Sequence, residues 1–242
     1  MSPTRPAHLL PLLCLIAPPL LALPPEKDEA VLAAVKGVQE ALAKGDADAL
    51  RVAAEKGQKL RDTRDDKQLQ PLVKALSKGI DHKQRPCVVA CIEALGALRC
   101  AESTAAFAPL LAPPPKLSEE DAALHAAALR AAGRIRDEKS KGALLRAVEH
   151  PVPAIAIAGA EGLSGYKGQE QKPRMALARD AIALLALVEK RAAAAPTDEA
   201  REALQPLHAA LNASICELTR NPAPTKHAEW VAWLKAEAKA PR

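Results

Sequence analysis

The stretch CIEALGALRCAESTAAFAPLLA, Cys91 to Ala112, is echoed without a gap by ALRAAGRIRDEKSKGALLRAVE, Ala128 to Glu149. The alignment sets Gly96 on Gly133, Leu98 on Ile135, Ser103 on Ser140, Phe107 on Leu144 and Leu111 on Val148, an offset of 37 residues. That length holds two short helices and two turns, the size of a helical-hairpin repeat. A repeat of this kind cannot bury its own apolar flank, so copies stack on one another and build a solenoid. Such a scaffold presents a long surface, and its function resides in side chains on that surface.

Working outward, helix signals alternate with breakers and leave little room for strands. Asp28 to Ala43 reads as a first helix closed by Lys44-Gly45. Asp46 to Leu60 and Asp66 to Leu76 make a first hairpin, whose Leu60-Arg61-Asp62 link echoes Ile135-Arg136-Asp137. Gln84 to Leu98 and Glu102 to Ala112 make the second, ended by Pro113, Pro114 and Pro115. Ser118-Glu-Glu-Asp121 is a capping-box start for the third. Its first helix carries Leu124, Ala127, Ala128, Ala131 and Ile135 on one stripe. Asp137 caps its partner, Glu138 to Glu149. The fourth pairs Pro153 to Tyr166, where Ser164 replaces the repeat glycine, with Pro173 to Ala193. Thr197 opens a helix through Leu218, and Pro206 inside it predicts a kink or break. The last element, Thr225 to Ala238, places Trp230 and Trp233 on one face, a means of closing the open apolar end of the array. An aromatic ligand platform is the alternative.

Composition agrees: the chain is 49% hydrophobic but only 2% aromatic, so Ala with Leu, Ile and Val must fill its interior. The expected fold is all-α, an α-α superhelix of about five helical hairpins. A capping helix spans 25–45, repeats span 46–220 and a closing helix spans 221–242.

Residues 1–24 read as an export signal. Arg5 supplies the positive start, Leu9 to Leu23 is an apolar run interrupted by Pro18 and Pro19, and Glu26-Lys27-Asp28-Glu29 follows. Cleavage is expected near Ala22, and Leu13 before Cys14 disfavours a lipoprotein signal. A buried N-terminal helix is the competing interpretation. With the signal removed, the chain is expected outside the cytoplasm, periplasmic or extracellular, without an integral membrane segment. Cys87, Cys91, Cys100 and Cys216 would then remain, either as disulfides or as small buried hydrophobes, and the helical spacing of Cys87 and Cys91 favours the second.

Leu95, Gly96, Leu98, Ala132, Gly133, Ile135, Asp137 and Leu144 follow the pattern of HEAT repeats, and the segment from Cys87 to Tyr166 resembles the short bacterial kind also found in phycobilisome lyases. The closing segment CELTRNPAPTKHAEWVAWLKAE is similar to the last element of exported bacterial HEAT-repeat proteins, with Leu218, Thr219, Trp230 and Trp233 at the matching positions; Leu234 stands where a further tryptophan is common. The resemblance implies a helical scaffold and little chemistry.

The sequence carries no P-loop, G-x-S-x-G, H-E-x-x-H, EF-hand or G-x-G-x-x-G pattern, and its histidines are scattered. No enzyme activity, metal or cofactor is expected. Charge is the one directional surface property, at +5 with a pI near 9.0. In HEAT arrays the second helix of each pair lines the concave face, which nominates Lys74, Lys78, Lys141, Arg146, Arg174 and Arg179 as a binding groove for an acidic protein. Two rivals are a nucleic-acid-binding groove like that of helical-repeat glycosylases, which an export signal opposes, and a bilin-lyase-like enzyme suggested by repeat kinship alone.

Overall fold

In the computed structural model, which describes residues 28–238, most helix starts have a local cause. The Asp28 carboxylate accepts from the amides of Ala30 and Val31 and opens α1, Glu29–Lys44, which Gly45 closes with a left-handed φ of 65°. Asp46 opens α2, Ala47–Arg61, in the same way. Asp65 and Gln68 form a reciprocal capping box at the start of α3, Asp66–Lys78. Pro86 lies in the first turn of α4, Arg85–Leu98, where a missing amide costs little. The helix predicted over Glu102 to Ala112 is divided into α5, Ser103–Phe107, and a 3₁₀ turn, Ala108–Leu111. Pro109 has no N–H to donate, so the i to i−4 ladder cannot pass it.

Ser118 starts α6, Glu119–Ile135, by accepting from the Asp121 amide. Asp137 caps a 3₁₀ turn, Glu138–Ser140, that runs into α7, Lys141–Val148. Then come α8, Pro153–Leu163, and a 3₁₀ turn, Ser164–Gly168, followed by α9, Gln171–Ala193. The predicted break near Pro206 is present: α10, Asp198–Glu202, stops, and Pro206 sits in the first turn of α11, Gln205–Thr219. The closing helix α12 spans His227–Glu237. Among the described residues the regular structure is entirely helical. The expected signal, 1–24, and the first residues of the expected 25–45 cap lie outside the described span.

Five helices pack side by side in chain order: α2 on α4, α4 on α6, α6 on α8, and α8 on α11. Their contacts join equivalent heights. Arg85 pairs with Asp121 at the starts of α4 and α6 at 2.9 Å. Ser214 donates to the Ala160 carbonyl between α11 and α8 at 2.6 Å, and Lys167 meets Glu217 at their ends at 3.1 Å. The row therefore runs in one direction, with its C-termini along one edge. Of the remaining helices, α3 packs on α1 and α4, α7 on α8, and α9 on α11.

Close approach between neighbours in this row depends on missing side chains. A Cβ on Gly96 would come within 2.8 Å of the Ala131 backbone, and one on Gly133 would run into the Gly162 backbone. Ser164 does stand in for the repeat glycine by sequence, but Gly162 and Gly165 take over its packing role, both facing α6. Trp230 is fully buried, and its indole N–H donates to Asn212 at 2.8 Å. Trp233 meets it edge-on, with ring centroids 5.8 Å apart. The pair thus packs α12 into the core cluster.

Gly133→Ala should lower the unfolding free energy by about 1–3 kcal/mol in urea titration, the range for forcing extra volume into a packed core. Gly37→Ala, whose new Cβ would sit at an ordinary 3.4 Å from Ala53, should instead stabilise α1 by up to about 1 kcal/mol through helix propensity.

Candidate interaction surface

The six basic side chains nominated from the sequence are not equivalent in the folded chain. Lys74 and Lys78 on α3, Arg146 on α7 and Arg179 on α9 are exposed. None of the four forms an ion pair among the described residues.

Lys141 is already engaged. Its Nζ lies 2.8 Å from Glu138 Oε2 and 5.1 Å above the centre of the Tyr166 ring. The Tyr166 hydroxyl in turn donates to the Asp137 carbonyl at 2.6 Å, and burial raises that phenol far above its ordinary value. Lys141 thus ties the start of α7 to the turn after α8. The hydrogen bond from Lys141 holds the Glu138 carboxyl below its ordinary 4.5 against the opposing effect of burial, with a further hydrogen bond from Gln169 acting in the same direction as Lys141.

Arg174 corrects the expectation most sharply: it is only 5% exposed and cannot line an open groove. Its guanidinium donates to the Leu218 carbonyl at the end of α11, while its Nε has no acceptor. Burial, and then the nearby Arg220 charge, lower its pKa. It lies inside because α9 and α11 pack directly together and its long side chain reaches across to an orphan helix-end carbonyl.

Sequence reasoning passed over another basic set. Arg99, Arg136 and Arg220 follow α4, α6 and α11 with φ of 53°, 65° and 60°, the three non-glycine residues of positive φ among those described. A left-handed conformation costs an L-residue about 1–2 kcal/mol. The signal was available, because the 37-residue offset also sets Arg99 on Arg136, one place past the final apolar residue of each helix.

Among the described residues, the thiols of Cys87, Cys91, Cys100 and Cys216 are free. Cys87, Cys91 and Cys100 are buried, as the small-hydrophobe alternative anticipated, and burial pushes Cys91 up to about 12. His125 donates to the Leu110 carbonyl at 2.7 Å, a core contact unrelated to the acids upstream. A shallow cavity of about 310 Å³ between α1 and α2 is lined mainly by Ala33, Ala34, Gly37, Ala49 and Ala53, with Glu40, Lys44, Asp46 and Lys56 at its margin. No cluster of three or more His, Cys, Asp or Glu stands at metal-holding distance among the described residues. No described helix is long and apolar enough to cross a membrane. Compared with protein-family models and with curated proteins, the chain matches none.

Two outcomes test these assignments. Cys87, Cys91 and Cys100 should resist a thiol-reactive dye in the native protein at pH 8 and react on unfolding. Because the folded pKa of Glu138 is depressed, its stabilisation is complete above 4.5 and is lost as pH falls through the folded value. Lys141→Met should therefore lower the Tm at pH 7 and flatten the loss of stability on acidification.

Proposed function

We propose that the chain is a non-enzymatic α-solenoid of HEAT-like hairpins, exported from the cytoplasm, that holds another protein of acidic character. The parallel order of α2, α4, α6, α8 and α11 supports the solenoid, since each hairpin rests on its sequence neighbours. The 37-residue echo and the Gly96 and Gly133 contacts add a common local geometry. The observation that carries the binding role is the set of four exposed cations, Lys74, Lys78, Arg146 and Arg179, spread over α3, α7 and α9 without carboxylate partners among the described residues. Lys141 and Arg174 belong to the scaffold. A stack held by packed backbones loses little entropy on binding, which favours recognition by fixed side chains.

Charge reversal of Lys74, Lys78, Arg146 and Arg179 to Glu should leave the Tm within a few degrees and cut recovery of acidic partner proteins from the extracytoplasmic fraction at least about tenfold. Equal recovery would refute the role. Steeply salt-dependent binding of duplex DNA by the wild type would favour the nucleic-acid groove instead. Recovery of the chain outside the cytoplasm, shortened near Ala22, is the outcome expected for export.

A further inference from the structure

We infer that His82 and His150 are acid-labile clasps, each holding the entrance of one row helix to the entrance of the helix before it only while its ring is neutral. The inference goes beyond the scaffold role proposed above and does not depend on a partner.

The starts of the row helices are held in two ways. Asp46 caps α2 and Ser118 caps α6 with their own side chains. Gln84 and Val152, which lead into α4 and α8, make no side-chain cap bond. Val152 has no polar side-chain atom to offer, and each first turn contains a proline, Pro86 or Pro153, without an amide hydrogen. In both places a half-buried histidine two residues earlier takes over. The Gln84 amide donates to His82 Nδ1 at 3.2 Å, and the Val152 amide donates to His150 Nδ1 at 3.1 Å.

The far side of each ring reaches back one link. His82 Nε2 donates to the Leu42 carbonyl, in the last turn before α2, at 3.1 Å. His150 Nε2 donates to the Pro114 carbonyl, in the run before α6, at 3.0 Å. Thus His82 joins the entrance of α4 to that of α2, and His150 joins the entrance of α8 to that of α6. The same four-bond arrangement recurs in links whose sequences otherwise differ.

The partners fix the protonation state. A backbone amide only donates and a backbone carbonyl only accepts, so Nδ1 must be bare and Nε2 must carry the hydrogen. The neutral ring meets both demands; the imidazolium, with a hydrogen on each nitrogen, cannot accept from the amide. Uptake of a proton therefore breaks the bond to Gln84 or Val152 and sets two N–H groups against each other, while the bond to the carbonyl survives. The charged groups on the segments that His82 joins are Lys44, Asp46, Asp81, Lys83 and Arg85; on those that His150 joins they are Lys116, Arg146 and Glu149. Asp46 is taken by the amides of Asp48 and Ala49, and Arg85 by Asp121. The histidine–carboxylate pair among the described residues is elsewhere, His208 with Glu189 at 3.6 Å, so no ion pair rewards a charge on either clasp. Imidazole is the side chain that changes charge between pH 5 and 8. Mild acid therefore opens the entrances of α4 and α8 and leaves that of α6, capped by a hydroxyl, closed.

The test is exchange of individual amide hydrogens, followed by NMR at pH 7.5 and 5.5 and corrected for the intrinsic rate at each pH. Both values lie above the 4.5 that bounds the Glu138 effect. The Gln84 and Val152 amides should lose protection by about two- to tenfold in acid, the worth of one hydrogen bond. The Asp121 and Ala200 amides, held by the hydroxyls of Ser118 and Thr197, should keep theirs. In the double variant His82→Asn, His150→Asn, the asparagine oxygen can still accept the amide two residues on but has nothing to protonate. Its Gln84 and Val152 amides should therefore stay protected at pH 5.5. Should the double variant misfold, His82→Asn alone should spare Gln84 but not Val152, and His150→Asn the reverse. Unchanged protection of either amide in the wild type, an equal loss at Asp121 and Ala200, or an acid loss that persists in the asparagine variants would overturn the inference.

Discussion

Close approach between neighbouring parallel helices is the constraint on which the rest of the structure depends. Where α4 meets α6, Gly96 rests on the Ala131 backbone, and where α6 meets the end of α8, Gly133 rests backbone against backbone on Gly162 and Gly165. Such contacts leave no slack, because an added methyl meets main-chain atoms that cannot turn aside. They fix the height at which each of these helices sits on the next. The equivalent ends of the helices are thereby brought onto a common edge, and the ion pairs Arg85 to Asp121 and Lys167 to Glu217 follow as consequences of that register.

Most of this was legible in the sequence because breakers and caps act locally. Asp28, Asp46, Asp65, Ser118, Asp137 and Thr197 all accept an amide of the turn they open, and a carboxylate or hydroxyl before an apolar stripe announces such a turn without tertiary information. Pro206 likewise ended one helix and started another where expected. Pro109 was overlooked because the repeat alignment outweighed it, although the missing N–H divides the second helix of that hairpin. The substitution of Gly165 for Ser164 was illegible for another reason. Which glycine touches a neighbour depends on the end of α8, where the chain tightens into a 3₁₀ turn.

The surface was less legible than the fold. Periodicity says which residues face inward only for the helix that carries them, and Arg174 is buried by a different helix, α11, more than 40 positions away in sequence. Lys141 was similarly captured by Glu138 and by a tyrosine from the next hairpin. In both cases a long cation was mistaken for a solvent-facing one, because its aliphatic stem can cross an interface and deliver the charge to a partner on the far side.

A charge on this molecule is therefore informative only after its local partners have been subtracted. Some cations near the turns are held by carboxylates at helix starts, as Arg61 is by Asp66 and Arg64 by Asp28, whose carboxyl is held below its ordinary value by that same hydrogen bond. Of the cations left without an ion pair among the described residues, two sets are ordered by the architecture: Lys74, Lys78, Arg146 and Arg179 on α3, α7 and α9, and three arginines at the ends of α4, α6 and α11. Lysines on an exposed helix face cost nothing to keep, whereas an arginine in a left-handed turn is retained against a backbone preference for glycine. Three such residues end α4, α6 and α11, helices of one parallel row, so the packing that builds the row also brings these charges to one edge.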